Sequence, residues 1–268
     1  MPKRVTHHHS MGLWNHRYAI HNLVLKDFKV RYRNMSLGFL WSVINPLIML
    51  GVLVFVFTYV LKINREPYFA VFLLIGLVLF NFISLCLTAS TTCIKDNSSV
   101  VKKIIFPRTI IPISVVLSQV IHLCIQLGVV GLFIVILHVP PSLTMLWIPL
   151  ILVIELIFIM GAALICSCLN VYFRDIQYLV ESGLTVFFWV TPIFYPLETA
   201  RNNLPSWLYK LYIINPLAGC IAAARNAILH HSSPDIFSFG MAIAVAFATL
   251  GIGIVLFNKL HTQFADKI

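Results

Sequence analysis

Uncharged apolar blocks recur along the chain, each about as long as the roughly 20 helical residues needed to cross a bilayer's hydrocarbon core. Six can be drawn, at residues 39–61, 69–92, 110–137, 146–169, 179–195 and 237–257. With 60% hydrophobic and 10% charged residues and a mean hydropathy of +0.93, this is not a water-soluble domain, since such domains hold roughly 45–50% apolar and about 25% charged residues. The sequence predicts an all-α integral membrane protein of six transmembrane helices. The formal net charge of +10 is spread thinly between the apolar blocks. It makes no nucleic-acid-binding face and suits basic loops beside anionic lipid.

An even number of spans puts both termini on one side. Lys and Arg number 14 in the segments on that side and 5 on the other, so the positive-inside rule makes both termini cytoplasmic. The chain divides into a cytoplasmic N-terminal segment (1–38), a transmembrane domain (39–257) and a cytoplasmic tail (258–268). The first 22 residues are polar and His-rich, without the apolar region of a signal peptide. Insertion is therefore expected to rely on the first span.

Two stretches outside the spans carry organisation. Within 15–33, Ile20, Val24, Phe28 and Tyr32 recur every fourth residue while Lys26, Lys29 and Arg33 cluster elsewhere. That predicts an amphipathic helix lying in the membrane interface. Residues 196–235 contain Pro196, Pro205, Pro216 and Pro234 followed or interrupted by an apolar run over 216–229. This is too broken for a clean span and suits a re-entrant hairpin buried in protein or lining water.

Catalytic chemistry is hard to place. There is no GxxxxGK[ST] loop and no GxGxxG after a strand to cradle a nucleotide. His7, His8 and His9 are adjacent on a tail and do not form a closed metal site. Cys86, Cys93, Cys124, Cys166 and Cys168 fall in or beside apolar blocks, and Cys220 stands alone in an external region, so all six read as free packing thiols. Glu155 is the one acid deep inside a block. A proton-coupling or substrate role is one reading; the expected one is a group that is neutral or hydrogen-bonded within the bundle, for instance to Ser or Thr of a neighbour, because no second buried acid or membrane-embedded base accompanies it. Gly240, Ala244 and Ala248 form a small-residue ridge where another helix can approach. Aromatics crowd the outer end of the fifth block: Phe187, Phe188, Trp189, Phe194 and Tyr195. They can be an interfacial belt or a lane for sugar rings, with Phe187 and Phe194 expected on nearly one helix face.

Several motifs, in order along the chain, resemble the permease subunit of type-2 ABC exporters, in the branch that exports O-antigen and teichoic-acid polysaccharides. They are 26–33 (KDFKVRYR), 37–41 (LGFLW) running to Asn45-Pro46, 170–175 (NVYFRD), 191–196 (TPIFYP) and Asn215-Pro216. Lys26 stands where that family usually has Arg.

The resemblance implies a homodimer with a channel between protomers, and two separate ATP-binding cassette subunits that carry ATP and Mg; this chain itself binds no cofactor. It implies a bacterial cytoplasmic (inner) membrane location and export of a polyprenyl-pyrophosphate-linked glycan. It places a coupling helix in the loop 93–109 and an external gate hairpin in 196–236. Lys95, Lys102, Lys103 and Arg108, with Asp27 and Arg31, are then candidates for contact with the ATPase, and the four basic loop residues can meet an acidic surface. Lys29, Arg31 and Arg33 are candidates for drawing in the pyrophosphate, and the five aromatics for lining the channel. Two other functions are compatible with the spans: a type-2 exporter of a small drug or peptide, or a polyprenyl-phosphate glycosyltransferase. The second lacks a catalytic cluster, for Glu66, Glu198 and Asp235 are scattered.

Overall fold

The computed structural model describes residues 17–32, 38–62, 66–98, 107–261 and 264, and these are helical wherever they are regular. We number the α-helices α1 (Arg17–Tyr32), α2 (Trp41–Phe55), α3 (Phe69–Asp96), α4 (Ile110–Ile136), α5 (Ile148–Tyr172), α6 (Ile176–Val190), α7 (Leu197–Asn203), α8 (Ser206–Tyr212), α9 (Pro216–Ile228) and α10 (Ile236–Leu260). A π-helical turn, Val56–Val60, extends α2, and a 3₁₀ turn, Leu143–Trp147, leads into α5.

Helix α3 is the axis of the bundle. Every residue from 71 to 80 is buried, because α2, α4, α5, α6 and α9 all pack around it. A helix that is apolar on all sides belongs in a protein core or a membrane span. Lipid tails are as apolar as leucine, so close packing rather than water exclusion must hold the helices together. The pairing of α5 with α10 shows how. A Cβ on Gly161 would lie 2.5 Å from the Leu250 nitrogen, and one on Gly253 would lie 2.6 Å from the Gly161 oxygen. Ala242 and Ala246 are also buried on α10, whereas Gly240, Ala244 and Ala248 are exposed. The ridge expected from the sequence therefore faces away from this bundle, and a neighbouring set of small residues makes the contact.

Among the described residues, five helical stretches are long and apolar enough to cross a membrane: Trp41–Val60, Phe69–Asp96, Ile110–Ile136, Leu143–Tyr172 and Ile236–Leu260. The expected fifth span, 179–195, differs. Its helix α6 stops at Val190, because the residue before Pro192 is driven out of the helical region and Thr191 is extended (ψ 142°). At 15 residues, α6 is about 22 Å long, short of a core of roughly 30 Å. The rest of that block, 191–195, is a bent and largely buried turn. Helices α8 and α9 pass the same test only as a pair, bent by 85°, so the proline-broken region is a broken span or a re-entrant loop. Asn215 and Pro216 start α9: the Asn side chain accepts from Leu217 and Ala218 N–H, and Pro at the first position has no N–H to lose.

Helix α1 packs against α4. Ile20, Leu23, Val24 and Asp27 are half-buried, while Tyr18, His21, Leu25, Lys26 and Lys29 are exposed. The buried stripe thus includes Asp27, and apolar Tyr18 and Leu25 lie outside it, so the two faces are less cleanly divided than the fourfold spacing predicts. The side chains of Phe28 and Tyr32 lie outside the described residues.

Candidate functional site

Two polar regions interrupt the apolar bundle, one at each end. The first is a cleft of about 630 Å³ where α1 meets the C-terminal end of α3 and the flank of α4, lined by Lys26, Asp27, Thr92, Asp96, Asn97 and Gln119 among others. Lys26 Nζ donates to Asn97 Oδ1 at 2.7 Å, and Asn97 Nδ2 donates to the Cys93 carbonyl at 2.9 Å. The first residue of the KDFKVRYR motif is thereby tied, through one buried Asn, to the last turn of α3. The loop that was expected to couple to the ATPase leaves from there. Thr92 donates to Asp96 at 2.7 Å.

The other motif at this end holds the helices together. Asn170 Nδ2 donates to the Thr91 carbonyl at 2.9 Å, joining α5 to α3, and the Tyr172 hydroxyl donates to the Leu260 carbonyl at 2.8 Å, joining α5 to α10. Arg174 and Asp175 are exposed. Of the coupling candidates, Lys95 is half-buried at the end of α3. Arg108 turns inward, donating to the His261 carbonyl and lying 6.0 Å from the Phe264 ring, so it braces the end of α10 besides any role toward a partner. Lys29 is exposed on α1. Lys102, Lys103 and Arg33 lie outside the described residues, as does the side chain of Arg31.

The second polar region is at the opposite end, around Arg225. The sequence counts Arg225 among loop charges; the structure buries it on α9 at 3% exposure. Its Nε and Nη2 donate to the Phe72 carbonyl at 3.1 and 3.0 Å, Nη1 to the Pro192 and Tyr195 carbonyls at 2.6 and 3.3 Å, and Nη2 to the Ile193 carbonyl at 2.7 Å. The guanidinium carbon lies over the Phe72 ring, 3.4 Å from its centroid, within cation–π range. The TPIFYP turn and the Asn215-Pro216 step also meet here, through Asn215 Nδ2 and Thr191 Oγ1 at 3.0 Å. Tyr195 donates to the Val190 carbonyl at 3.0 Å and lies 3.2 Å from the Tyr212 hydroxyl. An arginine inside the otherwise apolar run 216–229 was the available signal, because an ionisable side chain at membrane depth is costly and has to be held by specific partners.

The aromatic cluster is split by the end of α6. Phe188 packs edge-on against Phe80 at 5.0 Å and against Phe194 at 5.1 Å, and Phe187 lies 6.4 Å from Phe80. Phe194 stacks on Phe57 at 5.8 Å and is 7% exposed, while Trp189 is 63% exposed. Since Phe194 lies beyond the helix, the expected shared face with Phe187 does not form.

Glu155 is 2% exposed and, among the described residues, neither carboxyl oxygen has a hydrogen-bond donor; the expected Ser or Thr partner is not there. His122 and Arg225 are buried bases in the bundle, contrary to the expectation of none. All six cysteines are free, and Cys220 is buried in α9 rather than external. No three His, Cys, Asp or Glu side chains group as a metal site among the described residues.

Comparison with known proteins gives this architecture a family. A model of the ABC-2 type transporter membrane family matches residues 18–229. The chain is 34% identical over 247 residues to the O-antigen export system permease protein RfbA of Klebsiella pneumoniae, covering 90% of this chain and 91% of that one. It is 28% identical over 256 residues to the RfbA permease of Myxococcus xanthus, covering 96% and 97%. It is 23% identical over 248 residues to the polysialic acid transport protein KpsM of Escherichia coli, covering 90% and 93%.

Proposed function

The chain belongs to the ABC-2 type transporter membrane family, and from that premise we propose that it is the permease subunit of an ABC transporter exporting polysaccharide. The observation that carries this is the likeness, over nine-tenths of both chains, to permeases named for O-antigen export. The finer reading is that the cargo is a polyprenyl-pyrophosphate-linked glycan of O-antigen or teichoic-acid type. Hydrolysis takes place in two separate ATP-binding cassette subunits, and the membrane is the bacterial cytoplasmic one with both termini inside.

Two copies of the chain enclose the channel in this reading. Ile48, Val52, Phe55 and Tyr59 form one exposed stripe on α2 and its extension, and Val186, Trp189 and Val190 are exposed on α6; these faces are available to a second copy. ATP binding closes the partner subunits, and α1 with the 93–109 loop passes the motion inward. The Lys26–Asn97 bond supports this by making α1 and the end of α3 one unit. Lys29, Arg31 and Arg33 draw the pyrophosphate to the cytoplasmic entrance, and Phe187, Phe188, Trp189, Phe194 and Tyr195 give the passing polymer weak contacts.

The test is transport of a purified polyprenyl-pyrophosphate-linked glycan into proteoliposomes containing this chain and its partner ATPase. ATP-dependent movement of the glycan is expected. Movement of small drugs or peptides, but not of glycan, would overturn the reading.

A further inference from the structure

We propose that Arg225 is a positioning residue for export: it acts through Phe194 and Tyr195 by clamping the turn that carries them to the top of α3. The proposal rests on the polysaccharide-export reading and adds a residue to it. Among the described residues, each of the five hydrogen bonds of the guanidinium ends on a main-chain carbonyl, of Phe72 on one side and of Pro192, Ile193 and Tyr195 on the other. Bonds to carbonyls fix backbone. They hold together three segments distant in sequence, namely α9, the first turn of α3 and the turn after α6.

The turn needs such a clamp. Residues 191–194 are buried yet not helical, and buried carbonyls without donors are costly wherever water is excluded. The planar guanidinium supplies several donors at fixed angles, which a lysine ammonium cannot reproduce. Space for it is set aside on the facing helix. A Cβ at Gly76 would come within 2.9 Å of Arg225 Nη2 and 3.2 Å of Ile193 Cα, so glycine there admits both the fork and the turn. If packing alone were required, an apolar side chain would fill the space without the cost of burying a charge.

The consequence is mechanical. When the α8–α9 hairpin moves, Arg225 carries the 192–195 turn with it, so the aromatic surface at the outer end of the route changes position in step with the hairpin.

The experiment compares Arg225→Lys, Gly76→Ala and the double variant with the wild type in proteoliposomes containing the partner ATPase, reading glycan exported per ATP hydrolysed. Each single variant should assemble and lose roughly tenfold in that ratio, the effect of losing about one charge-assisted hydrogen bond. The double variant should lose little more than either alone, because both changes act on one clamp. Unchanged ratios in the single variants that assemble, whatever the amount assembled, or fully additive losses would each overturn the proposal. Should Arg225→Lys not assemble, Gly76→Ala decides alone, for it leaves the arginine in place and puts a good helix former in α3. A wild type that exports no glycan refutes the export reading instead.

Discussion

Asn215 donates from Nδ2 to the Thr191 hydroxyl at 3.0 Å while its Oδ1 accepts from the Leu217 and Ala218 N–H groups at 3.0 and 3.3 Å. One side chain therefore both starts α9 and ties it to the turn that ends α6. Losing an Asn cap costs about 1 kcal/mol, and a neutral hydrogen bond contributes about as much. Asn215→Ala should therefore destabilise the protein in detergent by about 2 kcal/mol. Thr191→Val removes the tie and keeps the cap, and should cost about half of that. Combining Thr191→Val with Asn215→Ala should add little to the Ala change alone. A Thr191→Val protein that unfolds at the wild-type temperature would show that the tie to Thr191 contributes nothing.

The proposed membrane sidedness rests on the distribution of Lys and Arg. Asn258 follows the apolar part of α10 and Asn202 lies on α7, and both are exposed. In a background without the native cysteines, Asn258→Cys should react with an impermeant thiol reagent only from the cytoplasmic side and Asn202→Cys only from outside. Labelling of both from one side would contradict the topology.

Trp189 separates a role in the export route from one in packing. It is 63% exposed, whereas Phe194 is 7% exposed and ringed by Phe57, Phe188 and Trp189. Phe194→Ala should destabilise by about 3–5 kcal/mol, as truncation of a buried ring does, and its effect on export would not be interpretable by itself. Trp189→Ala should leave the unfolding temperature within a degree or two and slow glycan export several-fold. Unaltered export in Trp189→Ala would mean that the side chain faces lipid.

The isolated chain should not hydrolyse ATP, since no phosphate-cradling loop is present in its sequence. Nucleotide turnover should appear only when a separate ATPase is added. Hydrolysis by the permease purified alone, and lost on a substitution within it, would refute this.

Spans were legible because apolar block length is a one-dimensional signal: α3, α4, α5 and α10 fall within a few residues of the blocks at 69–92, 110–137, 146–169 and 237–257. The short α6 was not read, although Pro192 was in view, because the apolar run continues across the proline into a turn that is buried. The Arg225 clamp was hidden for a different reason. Its acceptors are main-chain carbonyls 30 to 153 residues away, and main-chain atoms leave no mark in a sequence. The small-residue ridge shows a third limit: a spacing of four fits Ala242 and Ala246 as well as Gly240 and Ala244, and only the path of α5 selects between the two faces.

Glu155 on α5 is 2% exposed, and among the described residues neither of its carboxyl oxygens meets a donor. The buried guanidinium of Arg225 does not serve it, for among the described residues its bonds all go to main-chain carbonyls. A buried polar group without a partner costs about 1–3 kcal/mol, and replacing it by an apolar group of similar shape can be neutral or stabilising. Glu155→Leu should therefore hold or raise the unfolding temperature in detergent. Glu155→Gln keeps the shape without the carboxyl and should stay near the wild type. If Glu155 has only this structural place, ATP-dependent glycan export should persist in both variants. Export lost in both, with assembly and stability intact, would instead make the carboxyl part of the transport cycle, and the unpartnered oxygens would then be the groups available for it.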